Sequence, residues 1–209
     1  MNIRYFFELM RSYKLLIVKI LFYEALYMMR GFKGNSFGII NNIKANSNIP
    51  CPYFILNKIN NFLKRKKIDS FFDLGCGSGR SIYFFNTKYK INYFGIEYNE
   101  KAYVKSKKLF EKFKNVEIIN DNFMNFDFLK KNADCYFIND PLKDTNEFNN
   151  LILKIIEYNK ISNKLIYLII ANVKKDKLNI LKKYDLINSL NLGTRGFYIY
   201  SNQEKINEK

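Results

Sequence analysis

An acidic residue followed by alternating glycines, Asp73-Leu74-Gly75-Cys76-Gly77-Ser78-Gly79-Arg80, constrains this chain more than any other feature. An apolar run, Ile68 to Phe72, precedes it and reads as a buried strand; Ser81-Ile82-Tyr83-Phe84-Phe85 follows and reads as a helix start. A strand that breaks into glycines and then into a helix brings bare backbone amides and a helix N-terminus to one point. A nucleotide-like ligand can approach there without side chains in the way.

The rest of the chain alternates in the same sense. Strands are expected at Ser70–Gly75, Ile91–Glu97, Val116–Asn120, Ala133–Asn139 and Lys164–Ala171. Helices are expected at Tyr53–Lys66, Asn99–Phe113, Thr145–Tyr158 and Lys174–Lys183, with a short helical piece near Met124–Lys131. Tyr184–Leu190 and Gly196–Ser201, joined by a turn at Asn191–Arg195, read as an antiparallel hairpin. Five β-then-α units and a hairpin predict an α/β, doubly wound, Rossmann-like sheet of seven mostly parallel strands with an antiparallel pair at its end. An N-terminal helical extension and loop over residues 1–50 precedes the main domain, 51–203, and residues 204–209 read as a flexible tail. Gly31 to Gly38 is a loop by its glycines and small polar residues, and Asn41 to Pro52 looks irregular.

Three further signals stand behind the glycine loop. Glu97 ends the second strand about 20 residues on, where an acid binds ribose hydroxyls in nucleotide folds, and Tyr98 beside it suits an adenine face. Asp121 and Asn122 follow the third strand. Asn139-Asp140-Pro141-Leu142 follows the fourth, at the edge where ligands gather in open α/β sheets. Arg80 stands where the dinucleotide fingerprint has its third glycine, which argues against a nicotinamide-dependent oxidoreductase; no Gly-Lys-Ser/Thr follows, which excludes a Walker A loop.

The spacing of Asp73-x-Gly75-x-Gly77-x-Gly79 resembles the first motif of the class I S-adenosylmethionine (SAM)-dependent methyltransferases, and the later signals fall in that family's order from Ile68 to Leu142. The resemblance implies SAM as cofactor, held by Asp73, Gly75, Cys76, Gly77, Gly79, Glu97, Tyr98, Asp121 and Asn122. A carboxylate at Asp73 suits a cofactor carrying an ammonium and a sulfonium, and the family's acid at the third strand's end accepts the adenine amino group. Asn139 and Asp140 are the expected catalytic residues, Asp140 as proton acceptor, with Asp144 and a tyrosine hydroxyl in reserve. The Asp140-Pro141 pair loosely resembles amine-methylating members and a Dot1-like group. Leu142 stands in place of their aromatic, which argues against amine methylation. Pro50-Cys51-Pro52-Tyr53 lies where related enzymes fold chain over the cofactor, placing Tyr53 near the methyl group.

Composition narrows the chemistry. The chain has no histidine, so imidazole bases, Ser-His or Cys-His pairs and the commonest transition-metal ligand are absent. Cys51, Cys76 and Cys135 lack metal or disulfide spacing; no metal site is expected, and a reducing, cytoplasmic setting is. The net charge of +16 points toward nucleic acid, but Lys far outnumbers Arg and is spread along the chain. The acceptor is therefore expected to be a small molecule or a protein, with RNA or DNA, or a non-catalytic binding domain, as alternatives. Leu15 to Met29 is nearly continuous apolar sequence interrupted by Lys19 and Glu24. It is too short for the roughly 20 apolar residues of a spanning helix and is expected to pack on the domain, with peripheral membrane contact or a signal anchor as the alternatives. Oligomeric state is not legible.

Overall fold

The structure, a computed structural model, describes residues 16–33, 49–192 and 195–204, together with Phe7 and Met10. Most of the loops expected around 34–48 and at 193–194, and the tail beyond 204, lie outside the described residues.

The elements run α1 (Ile17–Met29), α2 (Tyr53–Leu63), β1 (Ser70–Leu74), α3 (Arg80–Asn86), β2 (Asn92–Glu97), α4 (Glu100–Phe110), β3 (Val116–Asn120), β4 (Cys135–Ile138), α5 (Thr145–Ile161), β5 (Tyr167–Val173), β6 (Tyr184–Leu192) and β7 (Arg195–Glu204). They form one seven-stranded sheet in the order β3-β2-β1-β4-β5-β7-β6. The first five strands are parallel to one another, and β7 is antiparallel to both β5 and β6. The doubly wound sheet expected from the sequence is present. The hairpin differs in one respect: its second strand is inserted against β5, and its first strand forms the outer edge.

Period-two alternation divides the buried strand residues between two cores. Phe71, Tyr93, Phe137, Ile169 and Ile199 face α1–α4, while Phe72, Ile96, Tyr136, Leu168 and Tyr198 face α5. Phenylalanine and tyrosine carry both layers; Phe72, for example, makes edge or stacked contacts with Phe94, Phe126, Phe128 and Tyr136. The helices start on local signals. The Asn99 carboxamide accepts from the Ala102 amide at 3.0 Å to cap α4, and the Asp144 carboxylate accepts from Glu147 at 2.8 Å to cap α5. Asp144 is thus a helix cap. The pieces expected as helices near Met124–Lys131 and Lys174–Lys183 are 3-10 turns at Phe128–Lys131 and Lys175–Leu181.

Helix α1 packs on the domain through Ile20, Glu24 and Tyr27, one face at helical spacing. Tyr27 enters a ring cluster with Phe32, Tyr53 and Phe84. Val18, Phe22, Ala25 and Met29 lie on the opposite, exposed face. Among the described residues no helix is long and apolar enough to cross a membrane.

Candidate active site

The glycine loop, the ends of β2, β3 and β4, and residues 49–53 meet at the carboxyl edge of the parallel strands. β1 and β4 are neighbours here but run to opposite halves of the sheet, the topological position where such folds bind ligands. A small cleft opens there, lined among others by Pro50, Cys51, Asp73, Gly75, Arg80 and Asn139.

Gly75, Gly77 and Gly79 all have positive φ, 81°, 56° and 88°. At Gly75 the requirement is also spatial, because a Cβ there would come within 3.3 Å of the Pro141 side chain. At Gly79 it would run into the Phe110 ring of α4. The loop's amides are less bare than the sequence suggests. Gly75 and Cys76 donate to the Ile96 carbonyl at 2.9 and 3.1 Å, and Gly79 donates to the Cys76 carbonyl at 2.9 Å. The Gly77 amide donates to Glu97 Oε2 at 2.8 Å. The loop is therefore pre-tied by protein groups, which fixes its shape before any ligand arrives.

Glu97 does the tying. Its other oxygen, Oε1, accepts from the Asn99 amide at 2.8 Å, and the residue is buried at the end of β2. Burial raises its pKa, opposed by hydrogen bonds from the backbone of Asn99, Gly77 and Tyr98. Asp73 is buried beneath the loop and accepts a hydrogen bond from the Ser81 hydroxyl. Desolvation pushes its pKa up to about 7; the Ser81 hydrogen bond opposes this and the nearby Glu97 charge adds to it. Among the described residues no cation pairs with Asp73. A buried carboxylate without a counter-charge, beside left-handed glycines, fits an ammonium-bearing ligand.

The other expected residues separate by exposure. The Cys76 thiol is turned inward, where a Cβ on Gly95 of β2 would meet its sulfur at 2.9 Å, and it donates to the Gly77 carbonyl of the loop at 3.9 Å. Tyr98 is 66% exposed beyond β2. Asp121 and Asn122 form a turn after β3, with Asp121 Oδ1 accepting from the Asn122 amide at 2.6 Å and Asn122 Oδ1 from Met124 at 3.0 Å. They stand two strands from β1, on the side of Glu97.

Asn139 and Asp140 lie across the cleft. Asn139 donates to the Ile49 carbonyl at 2.8 Å and accepts from the Asn172 carboxamide, which sits at a bulge in β5 with φ 57°. Asp140 is buried with φ 41°, and its Oδ1 accepts from Lys177 Nζ at 2.7 Å. Lys177 also donates to the Leu142 carbonyl at 2.6 Å, so one ammonium shapes the whole 140–142 turn. Tyr53 is fully buried in the Tyr27, Phe32 and Phe84 ring cluster, which gives it a packing role.

Several site residues escape a reading by motif. Lys177 follows β5 in a stretch that looks like any Lys-rich surface turn. Asn172 follows a run of apolar strand residues, Leu168 to Ala171, without a local motif. Arg80 and Glu24 did leave a signal: an arginine in place of a glycine, and one acid inside an apolar helix. They form a buried ion pair, 2.9 Å from Arg80 Nη1 to Glu24 Oε2.

Residues 71–157 match the family model described as a methyltransferase domain. No curated protein matches the sequence. Among solved structures, an RNA methyltransferase from Salinibacter ruber, in complex with S-adenosyl-L-homocysteine (SAH), superposes with TM-score 0.59 at 15% identity, over 77% of this chain and 98% of its own. The N-methyltransferase NodS from Bradyrhizobium japonicum WM9 gives 0.57 at 9% identity, over 71% and 94%. A SAM-dependent methyltransferase from Aquifex aeolicus gives 0.52 at 20% identity, over 70% and 88%. At these identities the neighbours establish the fold. With the family match across β1 to α5, the chain has the Rossmann-like core of the class I SAM-dependent methyltransferases.

Proposed function

We propose that this protein binds SAM in the cleft and transfers its methyl group to an acceptor held over the 139–142 turn. The observation that carries this reading is the tie between Glu97 and the Gly77 amide, next to a buried Asp73 that pairs with no cation among the described residues. On this reading Glu97 receives the ribose hydroxyls, the glycine loop lies against the cofactor, and Asp73 receives its ammonium. When bound, SAM supplies an activated methyl on a sulfonium; the protein's part is to align the acceptor for in-line displacement, worth roughly 7–11 kcal/mol in a near-attack geometry. Asp140, fixed by Lys177, is the first choice to take the acceptor's proton as the new bond to carbon forms and the carbon–sulfur bond breaks. Asn139 stands next to it. We assign the acceptor to the small molecules or protein side chains.

Calorimetric titration with SAM and SAH tests the reading. Gly77→Val should abolish binding, because its backbone has φ 56°. Glu97→Ala should weaken binding by about 1.5–3 kcal/mol, through lost charged hydrogen bonds to ligand and loop. Absence of SAH binding by the wild type refutes the cofactor assignment, and binding without turnover on any substrate pool supports a non-catalytic domain.

A nucleic-acid acceptor is the second reading, and one surface favours it. Lys101, Lys105, Lys108 and Lys112 fall four, three and four residues apart along α4 and just past its end, all exposed. None forms an ion pair among the described residues. Like charges at this spacing destabilise a helix by a few tenths of a kcal/mol per pair, so an anionic partner would relieve them. A gel shift with RNA whose affinity falls steeply with salt supports this reading; no shift at low salt removes it.

A further inference from the structure

We propose that Glu24 is a positioning residue for the cleft: from the N-terminal helix it fixes Arg80 and the Ile49–Pro52 segment that roofs the pocket, so that α1 and this roof retain or release the cofactor together. The inference rests on the SAM reading above.

Glu24 does not line the cleft, but its partners do. Arg80 Nη1 lies 3.0 and 2.9 Å from the two Glu24 oxygens and donates to the Cys51 carbonyl at 3.2 Å. Glu24 Oε1 also accepts from the Tyr53 amide at 2.9 Å, and the guanidinium lies 4.4 Å from the Tyr53 ring centre. On the far side Asn139 holds the Ile49 carbonyl. The roof is thus fixed at three places: Ile49 from β4, Cys51 from α3, and Tyr53 from α1. Two of the three depend on one carboxylate.

The burial of that carboxylate argues for a role beyond stability. The Arg80 and Glu24 side chains are 6% and 3% exposed. Two well-packed apolar residues in such a place are often as stabilising as the pair or more so, whereas removing one partner is strongly destabilising. What an ion pair adds here is geometry: it places one guanidinium against a carbonyl of the roof and beside the glycine loop. An N-terminal helix held by packing alone would not define where Pro50 and Cys51 sit in the cleft that Asp73 also lines.

Cys51 reports on the roof directly. It is buried in the segment that Arg80 holds, and burial pushes its thiol pKa up, so it reacts slowly while that segment stays in place. Cys135, fully buried in β4, reports general opening of the fold. Thiol alkylation of the full chain, mapped by mass spectrometry, is compared in wild type and Glu24→Gln. The expected result is a Cys51 labelling rate that rises in Glu24→Gln at least tenfold more than that of Cys135, and SAH binding weakened with faster dissociation. SAH should slow Cys51 labelling in both proteins. Equal acceleration of Cys51 and Cys135, or an unchanged Cys51 rate, overturns the proposal. If Glu24→Gln does not fold, Glu24→Asp replaces it: a Cys51 rate above the wild type's, rising more than that of Cys135, is expected, and a wild-type rate overturns the proposal. A wild type that fails to bind SAH refutes the cofactor reading, and this role with it, whatever the Cys51 ratio shows.

Discussion

Asp73 carries the clearest electrostatic consequence in the molecule. Its pKa is raised in the folded protein, from an ordinary carboxylate value to about 7, so the folded state binds its proton more tightly than the unfolded chain does. Its contribution to stability is complete below about pH 4 and is lost as pH rises toward 7. Asp73→Asn should remove this pH dependence, measured by denaturant unfolding between pH 4 and 8. A bound ammonium would reverse the preference and favour the carboxylate. SAH affinity should therefore rise with pH through this window, and binding near pH 6 should release protons, visible as a buffer-dependent calorimetric enthalpy. Lys177 is the complementary case. Lys177→Met removes the ammonium 2.7 Å from the buried Asp140 carboxylate and should cost about 3–5 kcal/mol of stability, read as a lowered unfolding midpoint. Asp140→Asn keeps a hydrogen-bond acceptor and should cost less, while lowering kcat by about a hundredfold with KM little changed if Asp140 takes the proton. Asp73, Glu97 and Asp140 could be picked from the chain because each stands at a fixed offset from a strand end. Lys177 could not, since its importance comes from a fold-back to a turn 37 residues earlier.

At the scale of elements, the glycine loop couples two helices as well as lining the cleft. The Phe110 ring of α4 sits against Gly79 at the start of α3, with Tyr83 and Phe113 around it. Gly79→Ala adds a methyl to a left-handed residue against that ring and should destabilise the protein by roughly 1–3 kcal/mol, measured by thermal unfolding. The five parallel strands were legible because apolar runs ended in turn or site residues at each carboxyl end. The two 3-10 segments read as helices because lysines and apolar residues alternate there at a similar period, and periodicity does not separate a short 3-10 run from an α-helix. The joining of α1 to the site was half legible. Its packing followed from apolar spacing, but Glu24 looked like an interruption when it is the contact.

For the molecule as a whole, ligand binding should appear as stability. A cofactor that binds only the folded form adds about 2.7 kcal/mol at a hundredfold excess over Kd, which for a domain of this size is an upward shift of about 5–10 °C in Tm. Differential scanning with SAH, SAM and NAD checks this; only the adenosyl-sulfur compounds should act. The sheet order has a consequence for synthesis. β7 is made after β6 yet lies inside it, paired with β5 on one side and β6 on the other. Until β7 emerges from the ribosome, β5 waits with an open edge, and β6 has no partner in the sheet. A nascent chain stopped at residue 192 should therefore be protease-sensitive and held by chaperones, and the ten residues of β7 should be the ones that release it.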